Sequence, residues 1–363
     1  MSNRPEPDPV PARVPGALIA AALVIVVAGL KAASGIVAPI ALAFVLVIAV
    51  SPLQRSLRRH GWPTWLGVPV LLVALYALLI SFAVVAVASA GQLVSLLPQY
   101  ESQADAALDS LQGRLSDLGF DSDWASHALS QIDPGQIITV VTSVLSSLSG
   151  TLTGFLFLMG LLLFTAVDAV DFPDRLDAVA PGRSAMVRTL RRFASDTRRY
   201  LVVSTVFGLV VAVVDGIGLW FFGVPLPILW ALLAFVTNYI PNIGFVIGLA
   251  PPALLAFLEG GAGTMLGVIA FYSVVNFVLQ SVVQPKVVGD SVNLSVTLTF
   301  IALIFWTWVI GGLGAVLAVP LTLLAKALLV DSSPSASWIA TLMRSGPPRP
   351  RRSADAASSG ARQ

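Results

Sequence analysis

Apolar residues along this chain gather into long uninterrupted tracts, a pattern that predicts helices solvated by lipid. Crossing a hydrocarbon core about 30 Å thick takes roughly 20 apolar residues at about 1.5 Å rise each. Residues 16–30, 35–53, 64–90, 150–167, 201–222 and 262–283 meet or approach that length. Two further tracts are interrupted. The tract 225–258 is divided at NYIPNIG, where Pro241 lacks an N–H and stands among Asn238, Asn242 and Gly244. The tract 295–330 is divided at Gly311, Gly312 and Gly314. Both read as hairpins of two short helices, re-entrant or fully spanning, that return the chain to the side it left. The predicted fold is all-α: a polytopic integral membrane helical bundle of about eight transmembrane segments, two of them broken or re-entrant hairpins, plus an external amphipathic helix.

The polar stretches between the tracts set the organisation. Residues 1–15 are Pro-rich and lack a signal-peptide cleavage pattern, and read as a disordered cytoplasmic tail. Transmembrane helices follow over 16–90, then an external segment over 91–149 with Leu108, Leu111, Leu115 and Leu118 at heptad spacing. That leucine helix packs on its own subunit, contacts another, or covers an outer vestibule. A transmembrane helix over 150–168 leads to a basic amphipathic helix over 169–200, where Met186, Leu190 and Phe193 alternate with arginines. This helix is expected along the inner leaflet, among anionic headgroups. A second membrane half spans 201–330, and 331–363 form a disordered cytoplasmic tail.

Charge placement orients the bundle. Arg55, Arg58 and Arg59 follow the second tract; Arg175, Arg183, Arg188, Arg191, Arg192, Arg198 and Arg199 follow the fourth; Arg344, Arg349, Arg351 and Arg352 are in the tail. Between residues 91 and 149 lie Glu101, Asp105, Asp109, Asp117, Asp121, Asp123 and Asp133, with Arg114 the only basic residue. The positive-inside bias therefore predicts a multi-pass protein of an inner or plasma membrane with both termini cytoplasmic.

Composition narrows the chemistry. Apolar residues make up 56% of the 363 and charged residues 11%, too little charge to cover a water-facing surface. Mean hydropathy is +0.88. Cysteine is absent, so thiolate metal sites and cysteine nucleophiles are excluded. His60 and His127 lie in separate loops, and neither a GxxxxGK[ST] loop nor a GxSxG elbow occurs. The chain is not expected to be an enzyme, to carry a cofactor or metal, or to bind nucleic acid. Any uphill transport would draw on an ion gradient.

Polar residues inside apolar tracts are the candidate site, because an ionisable group at the bilayer centre costs about 2.5 to 3.5 kcal/mol even on insertion scales. Asp215 interrupts VVAVVDGIGLW and shares a helical face with Ser204, Gly208 and Val211. It either lines a solute or proton path or pairs structurally with a neighbouring helix. Ser273, Asn276, Gln280 and Gln284 form a stripe at three- and four-residue intervals that ends near Lys286 and Asp290. Interhelical hydrogen bonding explains such a stripe, as does a path. Gly244 and Gly248 form a GxxxG before Pro251 and Pro252, a sign of close packing or of a broken transporter helix. Glu259 reads as a solvated cap or an ion ligand. Trp220, Trp230, Trp306 and Trp308 read as interfacial anchors.

The strings NYIPNIGFVIGLAPPALLAF and NFVLQSVVQPKVVGDSVNLSVTLTFIALIFWTWVIGGLGAVLAVPLTLLAKALL resemble the signature half of the autoinducer-2 exporter family, the PerM-like permeases. The likeness extends over most of the chain. Phe245 and Ser295 depart from it, where members often carry proline. The resemblance implies a bacterial inner-membrane permease, homo-oligomers (pentamers among them), and one of two activities, autoinducer-2 export or sodium/proton antiport.

Secondary transport of a small polar solute, in the export direction, is the expected function. Its path would involve Asp215, Asn238, Pro241, Asn242, Gly244, Asn276, Gln280, Gln284, Lys286 and Asp290, since amides both donate and accept hydrogen bonds. The alternatives are a sodium or lithium/proton antiporter that uses Asp215, and a non-transporting membrane scaffold. The lipid bilayer, a small-molecule solute or ion, and further copies of the chain are the expected partners.

Overall fold

The computed structural model describes residues 16–61, 63, 66–117, 151–241, 243–284, 294–332 and 343. Among them every regular element is helical. In chain order these are α1 (Gly16–Ala32), α2 (Ser34–Arg59), α3 (Gly67–Asp117), α4 (Thr151–Ala178), α5 (Ala180–Phe221), α6 (Pro227–Thr237), α7 (Gly244–Asn276), α8 (Val296–Ile310), α9 (Gly312–Val316) and α10 (Ala318–Lys326). In lipid a helix satisfies its own backbone groups, which is why apolar tracts of this length become helices. Among the described residues five stretches are long and apolar enough to cross a membrane: Ser34–Pro52, Gly67–Leu96, Thr153–Ala178, Ala180–Phe221 and Gly244–Val283. The apolar helices Ala20–Ala32, Pro227–Thr237 and Val296–Ile310 are shorter.

Two helices are longer than the apolar pattern predicts. α3 continues through Pro98 to Asp117 for 51 residues, about 77 Å at helical rise. The polar stretch after residue 90 thus begins as an extension of the third span. The side chains of Leu108, Leu111 and Leu115, and Leu118 entirely, fall outside the described residues. α5 runs 42 residues, with a kink at Arg183 near its start. The arginine-bearing stretch from Ala180 and the next apolar tract therefore form one continuous helix. Its apolar face is packed inward: Val187, Phe193 and Tyr200 are buried, and Phe193 stacks on Phe44 of α2 at 6.2 Å.

Among the described residues three apolar clusters hold the bundle. Ala43 and Val47 of α2 pack with Leu71 and Leu75 of α3 and with Leu158, Leu162 and Ala166 of α4. The Tyr76 hydroxyl donates to the Met159 carbonyl at 2.7 Å, tying α3 to α4. Ala38 and Val45 of α2 join Phe193 and Tyr200 of α5 and the α8–α10 hairpin. Leu219 and Val224 join Trp230, Leu255, Ala256, Val268 and Tyr272 of α6 and α7. Trp230 belongs to this core and is not an interfacial anchor: it is 6% exposed, and its indole N–H donates to the Pro225 carbonyl at 2.9 Å. Trp220 and Trp308 are exposed, while Trp306 is half-buried and donates to Thr322 Oγ1 at 3.0 Å.

α7 folds back on itself. Gly248 and Asn276 are 28 residues apart, which on a straight helix would place them about 42 Å from each other. Yet both line one cleft. The reversal occurs at Gly261, whose φ of 74° and ψ of −171° lie in a region essentially restricted to glycine. Gly311, which ends α8, adopts nearly the same conformation, φ 73° and ψ −154°. Gly312 begins the short helix α9 and Gly314 lies within it. Pro241 falls between α6 and α7.

Candidate functional site

The α6–α7 turn is built for close approach. α6 ends at Thr237, and the first half of α7 returns antiparallel to it. A β-carbon on Gly244 would drive into the Thr237 carbonyl, and one on Gly248 would sit 3.0 Å from Thr237 Oγ1. The GxxxG pair thus seals this hairpin internally. The second half of α7 runs antiparallel to α5, with Gly218 against the Phe271 ring and Gly267 against Phe222. These contacts leave a narrow cleft of about 10 Å³ between α5, the turn and the returning half of α7.

Three amides link the elements around it. Asn238 Nδ2 donates to the Ser204 carbonyl of α5 at 2.9 Å. Gln280 Nε2 donates to Asn238 Oδ1 at 3.2 Å and to Asn276 Oδ1 at 2.8 Å. Asn276 Nδ2 returns to its own helix, donating to the Tyr272 carbonyl at 2.9 Å. Gln280 lies in a π-helical continuation of α7, Phe277–Val283, a widened turn often found at functional sites. Tyr200 and Thr205 of α5 clamp the turn from the other side: the Tyr200 hydroxyl donates to the Tyr239 carbonyl at 2.8 Å, and the Thr205 and Tyr239 hydroxyls are 2.6 Å apart.

Of the sequence candidates, Asp215, Asn238, Gly244, Asn276 and Gln280 line the cleft together. Asp215 is 0% exposed, and Ser204, Gly208 and Val211 are buried on the same face of α5. Ser273 is exposed and Gln284 half-buried, and neither lines the cleft. Asn242, Lys286 and Asp290 lie outside the described residues. Sequence reasoning missed Thr237 and Tyr272, both buried cleft residues. Tyr272 sits four residues before Asn276 on the same helical face, and that spacing is the signal that could have found it. Ser295, a departure from the family pattern, caps α8 by accepting from the Leu298 amide at 3.2 Å. Among the described residues no group of three or more His, Cys, Asp or Glu gathers as metal ligands would.

A cleft lined with amides and a carboxyl, set at a broken helical hairpin in an apolar bundle, defines a multi-pass membrane protein of transporter type. The chain belongs to the AI-2E family of transporters, whose family model matches residues 20–332. It is 28% identical to the putative transport protein YhhT of Escherichia coli over 331 residues, 91% of this chain and 94% of that one. It is 28% identical to the AI-2 transport protein TqsA of Escherichia coli over 313 residues, 86% and 90% of the two chains. It is 30% identical to a putative transport protein of Haemophilus influenzae over 329 residues, 89% and 94% of the two chains.

Proposed function

We propose that this protein is a secondary permease that exports a small, uncharged polar solute across a bacterial inner membrane. Its solute path would run through the cleft between α5, the α6–α7 turn and the returning half of α7, which holds about one water molecule in this conformation and would widen to admit the solute. The observation that carries this reading is the amide chain Asn238–Gln280–Asn276, which joins both sides of a broken hairpin along the cleft wall. Amides offer donors and acceptors in pairs, as hydroxyl-bearing solutes require, and place no fixed charge in the path. The name of the relative TqsA makes autoinducer-2-like solutes the first to test.

In this reading the chain crosses the membrane in about eight segments counting both hairpins, with its termini cytoplasmic and its copies associated. The test is a flux panel in proteoliposomes, with autoinducer-like sugars, amino acids, sodium and protons offered in turn. A neutral polar solute should move, and Asn238→Leu and Gln280→Leu should each lower its flux. Absence of flux for every solute and ion would leave a scaffold as the function and refute the permease.

A further inference from the structure

Burying a polar group without a partner is costly, and in a lipid-solvated fold an ionisable one is costlier still. Both carboxyl oxygens of Asp215 and the hydroxyl of Tyr272 are buried without a hydrogen-bond partner among the described residues. Asp215 is 0% exposed and Tyr272 1%. They come from different elements, α5 and the returning half of α7, and line the same cleft.

The surroundings decide what this pair can bind. α6, its turn and the first half of α7 contribute Ala234, Thr237, Asn238, Gly244, Phe245 and Gly248, all of them neutral. The returning half of α7 adds Asn276 and Gln280 besides Tyr272, and among the described residues no Lys, Arg or His lines the cleft. Among these residues the carboxyl faces no counter-charge, so that what neutralises it would arrive through the cleft. A hard metal cation collects about six or more oxygens. Asn276 Oδ1 and Asn238 Oδ1 already accept from Gln280, and the remaining wall is largely apolar. A proton needs only one carboxylate oxygen and a neighbouring donor, and the cleft has room for about one water molecule to deliver it.

We infer that Asp215 and Tyr272 form a proton-binding pair that couples solute movement to proton movement. An oxygen of the Asp215 carboxylate takes a proton from a hydronium ion at the cleft water, leaving water and the carboxylic acid, and returns it to water as hydronium when the cleft opens to the other side. Tyr272 keeps its own proton throughout. Its O–H is the positioning donor for the ionised carboxylate, directly or through water, and one proton is carried per cycle. The coupling role rests on the permease reading; the proton site itself does not.

Infrared difference spectroscopy of the full chain in lipid vesicles, between acidic and alkaline buffer, tests both parts. A carboxylic-acid C=O band that titrates is expected in the wild type. It should be lost in Asp215→Asn, retained in Asp215→Glu, and moved in its pH midpoint by Tyr272→Phe, with thermal melting used to select folded variants. A folded Asp215→Asn protein whose spectrum matches the wild type overturns the site, and an unmoved midpoint in Tyr272→Phe overturns the pairing. Displacement of the band by Na⁺ or Li⁺ at constant pH overturns the proton assignment in favour of a metal cation. In the flux assay, an imposed pH gradient should drive solute accumulation in the wild type, and Asp215→Asn should abolish it. Accumulation unchanged in that variant overturns the coupling. An Asp215 band in a wild type that moves no solute refutes the permease reading and supports the proton site.

Discussion

Gly208 on α5 is the point at which the cleft's amide chain is most easily broken by one added carbon. A β-carbon there would lie 2.8 Å from Asn238 Nδ2 and 3.3 Å from Asn238 Cβ, closer than ordinary contact, so the Asn238 side chain must swing away. Swinging it away breaks the bond to the Ser204 carbonyl at 2.9 Å and withdraws the acceptor of Gln280 at 3.2 Å. Two partly buried hydrogen bonds, each with a net contribution of about 0.5–1.5 kcal/mol, put the loss for Gly208→Ala at about 1–3 kcal/mol. Asn238→Ala removes the same bonds and should cost a similar amount. Once Asn238 is trimmed the obstructing atom is gone, so adding Gly208→Ala to Asn238→Ala should cost little. The alanine even recovers about 0.5–1 kcal/mol of helix preference over glycine. The two substitutions should therefore be coupled by about 1–3 kcal/mol in a double-mutant cycle. The measurement is chemical unfolding of the four proteins in one detergent. Gly29→Ala serves as the control, since nothing lies within 4 Å of a β-carbon there. Strictly additive losses, or a Gly208→Ala protein as stable as the wild type, would refute the close approach and with it the amide chain.

The two fold-back glycines make a second test: Gly261→Ala and Gly311→Ala each force a β-carbon into a region essentially restricted to glycine and should cost about 1–3 kcal/mol, read as lowered thermal midpoints; unchanged melting would argue against those conformations. Ser295→Ala should lose about 1 kcal/mol with the α8 cap while Ser295→Asp retains it, checked in the same melts. Because the chain contains no cysteine, single cysteines report access cleanly. Asn238→Cys and Gln280→Cys should react with a water-soluble thiol reagent in membranes while Val24→Cys, on the exposed apolar face of α1, should not, and equal labelling of all three would contradict a wet cleft.

Much of the architecture is written into the order of residues. Twenty-residue apolar tracts compel helices, because lipid offers the backbone no alternative partner. Pro241 among the asparagines and Gly311 beyond Ile310 mark where helices stop, since one lacks a donor and the other adopts a backbone that side chains resist. The helical period placed Asp215 on a face with Ser204, Gly208 and Val211, and Asn276 on a face with Gln280. Periodicity describes a face of one helix, however, and is silent on which helix meets it. The meeting of Asn238 with Gln280 across 42 residues, and of Asp215 with Tyr272, depends on the reversal at Gly261. The apolar pattern already breaks between residues 258 and 262, but within EGGAG any of several glycines would serve, and only the structure places the reversal at Gly261. The lengths of α3 and α5 were likewise hidden, because polar residues can prolong a helix past the point where lipid requires it. The burial of Trp230 was hidden for a related reason: an amphipathic aromatic reads as an interfacial anchor until packing shows its polar atom turned inward. Only the assembled bundle decides that, because burial belongs to the partners a side chain finds and not to the side chain itself.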